Sequence, residues 1–186
     1  MKIDKQKIYE QDLSFFDEEI GNFSYLKSDK EHYKLLSYLS KQYNDITIID
    51  AGTNFGHSAL ALSQNENNKV RTYDLIDKKL TNITKYKNIE FFQKDINEES
   101  KDIFLNSEII LLDIDPHDGK QEEKFYIFLK EINFKGYLIC DDIFLNQGMR
   151  DWWESIEIEK YDVTEVGHFS GTGIVNFKED KNFSFL

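Results

Sequence analysis

The chain has 186 residues, with 35 acidic against 23 basic side chains and a formal net charge of −12. Hydrophobic residues make up 40% and aromatic residues 15%. That is enough to bury one full core, so global disorder is excluded and a single domain of ordinary size is expected. No apolar run approaches the roughly 18 residues a membrane helix needs, and the N-terminus lacks an apolar signal segment. The bases are almost all lysine, with Arg71 and Arg150 the two arginines and no basic cluster, which speaks against nucleic acid as a partner. The single cysteine, Cys140, allows no internal disulfide, and a cytoplasmic location is expected.

Residues 1–30 are mixed and highly charged and read as an N-terminal extension or lid. Residues 31–186 read as one domain. Residues 30–42 carry Tyr33, Leu35, Leu36, Tyr38 and Leu39 at helical spacing. From residue 46 strands and helices alternate. Strands are predicted over 46–52, 70–75, 89–96, 108–115 and 136–143, with helices over 57–64, 76–86, 98–106, 120–132 and 148–158. Two closing strands follow, over 161–166 and 171–177. This pattern predicts an α/β fold: a doubly wound, mostly parallel seven-stranded sheet with helices on both faces and the last strand antiparallel.

In such folds ligands bind at the carboxyl ends of the strands. Nearly every predicted strand ends in an acid there: Asp50, Asp74, Asp95, Asp113, then Asp141 and Asp142. The first strand leads into Asp50-Ala51-Gly52-Thr53-Asn54-Phe55-Gly56-His57-Ser58. Gly52 and Gly56 permit a tight turn and a close approach of ligand to backbone. The spacing is neither that of a dinucleotide fingerprint nor that of a P-loop, which disfavours a pyrophosphate or ATP. Asp74, at the next strand end, is placed to accept ribose hydroxyls, and Asp95 to reach an adenine amino group.

The loop DAGTNFGHSALALS followed by an acid after the second strand resembles the class I S-adenosylmethionine (SAM)-dependent methyltransferases. Within these it is most similar to small O-methyltransferases of the catechol type. The resemblance covers roughly residues 45–145. It implies that Asp50, Gly52, Gly56 and Ser58 surround the methionine part of the cofactor, that Asp74 holds the ribose and that Asp95 flanks the adenine. Thr53, Asn54 and Asp113 complete the expected cofactor-binding set. His57 stands where that family often has an aromatic residue.

If the fourth and fifth strands are neighbours, Asp113 converges with Asp141 and Asp142. Three carboxylates in one place repel unless protonated or bridged by a cation, and an all-oxygen set suits Mg²⁺ or another hard divalent ion. The run Asp113-Ile114-Asp115 and the Asp141-Asp142 pair resemble the macrocin O-methyltransferase type, which methylates sugar hydroxyls. On that match Asp113, Asp141 and Asp142 are metal ligands, and Asp115 fits the loop as well as Asp113 does. The catechol enzymes place a base, Lys, three residues beyond the metal-binding Asp, and here that position is Pro116. His117 is the favoured base, working beside Asp113, with His168, His57 and His32 as further candidates. Trp152 and Trp153 are candidates to shape an acceptor pocket.

The leading expectation is a metal-dependent O-methyltransferase for a small polyhydroxylated acceptor such as a sugar, with residues 1–30, the 114–121 loop and the 143–150 loop closing the acceptor site and a second copy of the chain as a further option. Two alternatives stay open: a non-catalytic cofactor-binding subunit, and an aminopropyl-transferase-like enzyme using a decarboxylated form of the same cofactor.

Overall fold

The computed structural model describes residues 1–16, 30–79, 81–178 and 184–185. The chain opens with a two-residue strand, β1 (Lys2–Ile3), and a short helix, α1 (Lys5–Tyr9), capped by the Asp4 carboxylate, which accepts from the backbone of Lys7. Helix α2 (Lys30–Lys41) leads into β2 (Thr47–Ala51), α3 (His57–Leu62), β3 (Lys69–Asp74) and β4 (Ile89–Gln93). Then come α4 (Lys101–Leu105), β5 (Ser107–Leu112), α5 (Lys120–Glu131), β6 (Tyr137–Asp141) and α6 (Gln147–Ser155). The chain closes with β7 (Lys160–Asp162), β8 (Thr172–Asn176) and β9 (Ser184–Phe185).

Seven strands form one sheet in the order β4-β3-β2-β5-β6-β8-β7. The first five are mutually parallel, and β8 runs antiparallel to both its neighbours. The predicted architecture is therefore present, and the last predicted strand, β8, is the antiparallel one, inserted beside β6. A second, two-stranded sheet pairs β1 with β9 in parallel, which the sequence pattern does not announce.

Successive residues of a strand point to opposite faces. Ile48, Ile109, Leu111, Ile139 and Ile174 accordingly pack with α2 and α3. Ile49, Ile110, Leu112, Leu138, Cys140 and Val175 pack with α4, α5 and α6 on the other face. Each aliphatic side chain so buried contributes about 1.5–3 kcal/mol. Ile3, Ile8 and Phe16 are buried in the first of these cores. The described part of the N-terminal segment is thus packed against the domain, while the rest of the expected lid, residues 17–29, lies outside the described residues. No helix of the described residues is long and apolar enough to cross a membrane.

Three predicted elements differ. The helix expected over 76–86 is a 3₁₀ turn at Thr81–Lys85, and Leu75 and Ile76 are exposed. Ile76, Leu80, Ile83 and Tyr86 stand at helical spacing in the sequence, but Ile76 is exposed and Ile83 is buried by packing under the Gly56 turn. The strand expected to reach 96 stops at Gln93, because Asp95 caps a 3₁₀ turn over Ile96–Glu98 by accepting from the backbone of Asn97. The strand expected over 161–166 stops at Asp162, whose carboxylate accepts from the backbone of Thr164 and starts a turn.

Candidate cofactor and acid–histidine site

The strand order reverses between β2 and β5, and the crevice beyond their carboxyl ends is where such sheets take ligands. Gly52 follows β2 at φ +107°, and a Cβ there would lie 1.7 Å from the carbonyl oxygen of Asp113. No other residue fits this crossing of two backbones. Gly52 and Thr53 both donate their N–H groups to the Tyr73 carbonyl, and Asp113 donates to Ala51, so the three strand ends are laced together. Asn54, at φ +43°, donates its N–H to Asp74 Oδ2 at 2.7 Å, and Ile76 donates to Asp74 Oδ1 at 2.9 Å.

Asp50 lies within β2 and lines neither cavity described below. It is fully buried, accepting from Thr72 Oγ1 at 2.6 Å and Ser58 Oγ at 3.1 Å. Burial pushes its carboxyl up to about 7, against those two hydrogen bonds. In this geometry Asp50 ties β2 to β3 and to the start of α3.

Two cavities meet at Gly52, Asn54 and Asp113. The larger, about 420 Å³, is lined by Tyr73, Asp74, Leu75, Asp95, Ile96 and His117 among others. The smaller, about 210 Å³, is lined by Asp113, Asp141, Asp142, His32, His57 and His168, with Thr53, Ser58, Tyr33 and Phe55. The acids expected from Asp74 to Asp142 thus share one rim. Gly56 shapes the turn between Thr53 and α3 without lining either cavity. Trp152 and Trp153 are buried in the second core and line neither.

The register of β5 against β6 pairs Leu112 with Cys140. The next residues along, Asp113 and then Asp141 and Asp142, therefore crowd together. Withdrawal from water, then the charge of Asp141, push the Asp113 carboxyl well above the usual carboxylate range. Burial lifts Asp141 to about 7. Asp142 goes the other way: burial opposes its charge, but hydrogen bonds with His168 and Ser170 outweigh it and hold the carboxyl low.

His168 comes from the turn before β8. Its backbone N–H donates to Thr172 Oγ1 at 2.7 Å, and Phe144 N–H donates to the Ser170 carbonyl at 2.8 Å, binding that turn to the segment after β6. His168 Nδ1 stands 3.0 Å from Asp142 Oδ1 and 3.6 Å from Asp141 Oδ1. Asp141, Asp142 and His168 each present one donor atom, all within 4.8 Å of one another. Asp141 Oδ1 is buried and accepts no hydrogen bond among the described residues. Its position at the cavity wall fits a cation. Asp113 borders this group and lies outside it.

His117, at φ +52°, is braced by Asn146, which donates to its carbonyl at 2.6 Å. Its Nε2 lies 3.6 Å from Asp113 Oδ1, 3.8 Å from Asp115 Oδ1 and 3.9 Å from Asp142 Oδ2. His57 is pushed down to about 4 by burial and is neutral at neutral pH. His32 Nδ1 lies 3.8 Å from Asp141 Oδ1. The sequence offers His32 and Tyr33 as part of a helix face, and nothing local in it signals that this helix end closes over the acids.

The strand order, with β8 antiparallel beside β6, is the Rossmann-like fold also seen in solved SAM-dependent methyltransferases. The SAH-bound methyltransferase PaMTH1 of Podospora anserina matches at TM-score 0.59 and 16% identity, over 77% of each chain. A putative caffeoyl-CoA O-methyltransferase from Staphylococcus aureus matches at TM-score 0.60 and 14% identity, over 77% of this chain and 82% of that one. The O-methyltransferase TomG of Streptomyces achromogenes, in complex with SAM, matches at TM-score 0.59 and 11% identity, over 89% and 95%. At these identities the likeness is one of fold. No family model and no curated protein matches the chain in sequence.

Proposed function

We propose that this chain is a SAM-dependent methyltransferase that methylates a hydroxyl of a small polyhydroxylated acceptor, sugar-like in chemistry, with help from a divalent cation such as Mg²⁺. The observation that carries this reading is the meeting of two cavities at Gly52, Asn54 and Asp113. The larger offers Asp74 to a ribose and Asp95 to an adenine amino group. The smaller, at about 210 Å³, suits a compact acceptor and is walled by acids and imidazoles. The solved neighbours that hold SAH or SAM, and those named O-methyltransferases, support the same assignment.

Methyl transfer from a sulfonium is an in-line displacement. The acceptor oxygen forms a bond to the methyl carbon as the carbon–sulfur bond breaks, and S-adenosylhomocysteine leaves. The protein must align the two partners and remove the hydroxyl proton. Gly52 lets the cofactor approach the backbone, and Asp74 orients its ribose. His117, with Nε2 beside both Asp113 and Asp142, takes the proton. Asp141 and Asp142, with Asp113 or His168, would hold a divalent ion, and its charge would lower the acceptor hydroxyl's pKa. A cytoplasmic setting and a small-molecule partner, not nucleic acid, belong to this reading, in keeping with the net charge of −12; so does the option of a second copy completing the acceptor site.

Calorimetric titration of SAM and of Mg²⁺ into wild type and Asp141→Asn tests it. The expected result is micromolar cofactor binding in both proteins and an ion signal that only wild type gives. A screen of sugars and diols for methyl transfer then follows. Absence of SAM binding would end the assignment.

A further inference from the structure

The acid cluster contains a nitrogen donor that the strand-end pattern does not supply. His168 Nδ1 is 3.0 Å from Asp142 Oδ1 and 3.6 Å from Asp141 Oδ1. Two ligand atoms about 2.1 Å from one ion and at right angles stand about 3 Å apart, so these separations suit a shared ion. Asp141 is 7% exposed, and its Oδ1 accepts no hydrogen bond among the described residues although it lines the cavity. A buried carboxylate oxygen left so is costly unless something charged meets it.

His168 is also held rigidly enough to be a ligand. Its backbone N–H is tied to Thr172 Oγ1, and its turn is hydrogen-bonded to the chain just after Asp142 through Ile143 and Phe144. The two carboxylates and the imidazole therefore sit on one laced unit, formed by the end of β6 and the turn before β8.

We infer that His168 is a metal ligand, and that the site is a mixed Asp141, Asp142 and His168 centre selecting a first-row divalent ion such as Co²⁺ or Mn²⁺ over Mg²⁺. The inference rests on the divalent-ion reading of the site and sharpens it. Mg²⁺ favours an all-oxygen octahedron and keeps its waters, whereas imidazole suits first-row transition ions. Replacing one carboxylate by a neutral imidazole also removes a negative charge from the ligand set, which costs Mg²⁺ more than an ion that bonds well to nitrogen.

The test is electron spin-echo spectroscopy of Mn²⁺ added to the full chain, with Mn²⁺ and Mg²⁺ affinities measured alongside. Wild type should show ¹⁴N coupling from a bound imidazole. His168→Gln, with its fold checked by circular dichroism, should lose that coupling and see its Mn²⁺:Mg²⁺ affinity ratio fall at least tenfold. His32→Gln and His117→Gln should keep the coupling. If His168→Gln does not fold, these two variants together with His57→Gln assign the nitrogen by elimination. Mn²⁺ binding without nitrogen coupling overturns the inference and leaves an all-oxygen site, and coupling that survives in His168→Gln overturns it in favour of another imidazole. Failure of any divalent ion to bind overturns both this inference and the metal part of the proposed function, while SAM binding would still stand.

Discussion

Asp50 shows how one buried carboxyl can tie together the strand and helix ends that form a site. Its carboxyl is pushed up to about 7 by burial from an ordinary value of 3.8. Below about pH 4 the group is protonated in the folded and the unfolded chain alike, and it costs nothing. As pH rises from about 4 to 7 the unfolded chain gives up the proton first, so this group's contribution to stability is lost across that window and levels off above it. The full effect is at most a few kcal/mol, at 1.36 kcal/mol per pKa unit. Asp50→Asn should remove it. In urea denaturation from pH 4.5 to 8, the stability of the variant relative to wild type should rise with pH up to about 7 and then flatten. A difference that does not change with pH would show that Asp50 is ionised in the fold throughout. The carboxyls of Asp50 and Asp74 look alike in the sequence, each at or beside a strand end. Only packing separates them: Thr72 and Ser58 enclose Asp50, while Asp74 faces the larger cavity.

At the scale of elements, the β/α alternation is legible because buried parallel strands are continuous apolar runs and amphipathic helices repeat at 3.6 residues. Two of the three failures fall where a polar side chain ends an element by capping. Asp95 and Asp162 each accept a backbone N–H two residues on and turn the chain. The N-terminal segment, read from its charge as an extension or lid, carries Ile3 and Ile8, which are fully buried in the core beside α2 and α3. Two isolated isoleucines in a charged stretch form no periodic pattern, so burial decided by tertiary contact stays hidden. Deleting residues 1–10 should therefore cost at least about 3 kcal/mol, two aliphatic side chains at about 1.5–3 kcal/mol each, with m-value and midpoint read from urea unfolding. A truncated chain as stable as the full one would show that these contacts contribute nothing net.

At the scale of the whole molecule, the cofactor cavity and the acid–histidine cavity are joined through Gly52, Asn54 and Asp113, so ligands that favour the folded state should add their effects. A ligand at a hundred times its Kd stabilises by about 2.7 kcal/mol. For a chain of this size that raises Tm by roughly 5–10 °C. SAM should produce such a shift in wild type and in Asp141→Asn alike. A divalent ion should produce it only in wild type. An ion-induced shift that persists in Asp141→Asn would place the ion elsewhere.

The sequence by itself determined the layered α/β fold, the glycine turn after the first central strand and the row of acids at the strand ends. These depend on local spacing: two residues per strand repeat, 3.6 per helix turn, and one glycine where no Cβ can stand. It also foretold that Asp113 would meet Asp141 and Asp142, because neighbouring parallel strands in register carry their ends to the same rim. What only the tertiary structure decided is which other groups join them. His168 reaches Asp142 from 26 residues away because β8 returns antiparallel beside β6, and His32 reaches Asp141 because α2 packs over that edge. Such meetings depend on how whole elements pack, and no local spacing in the chain encodes them.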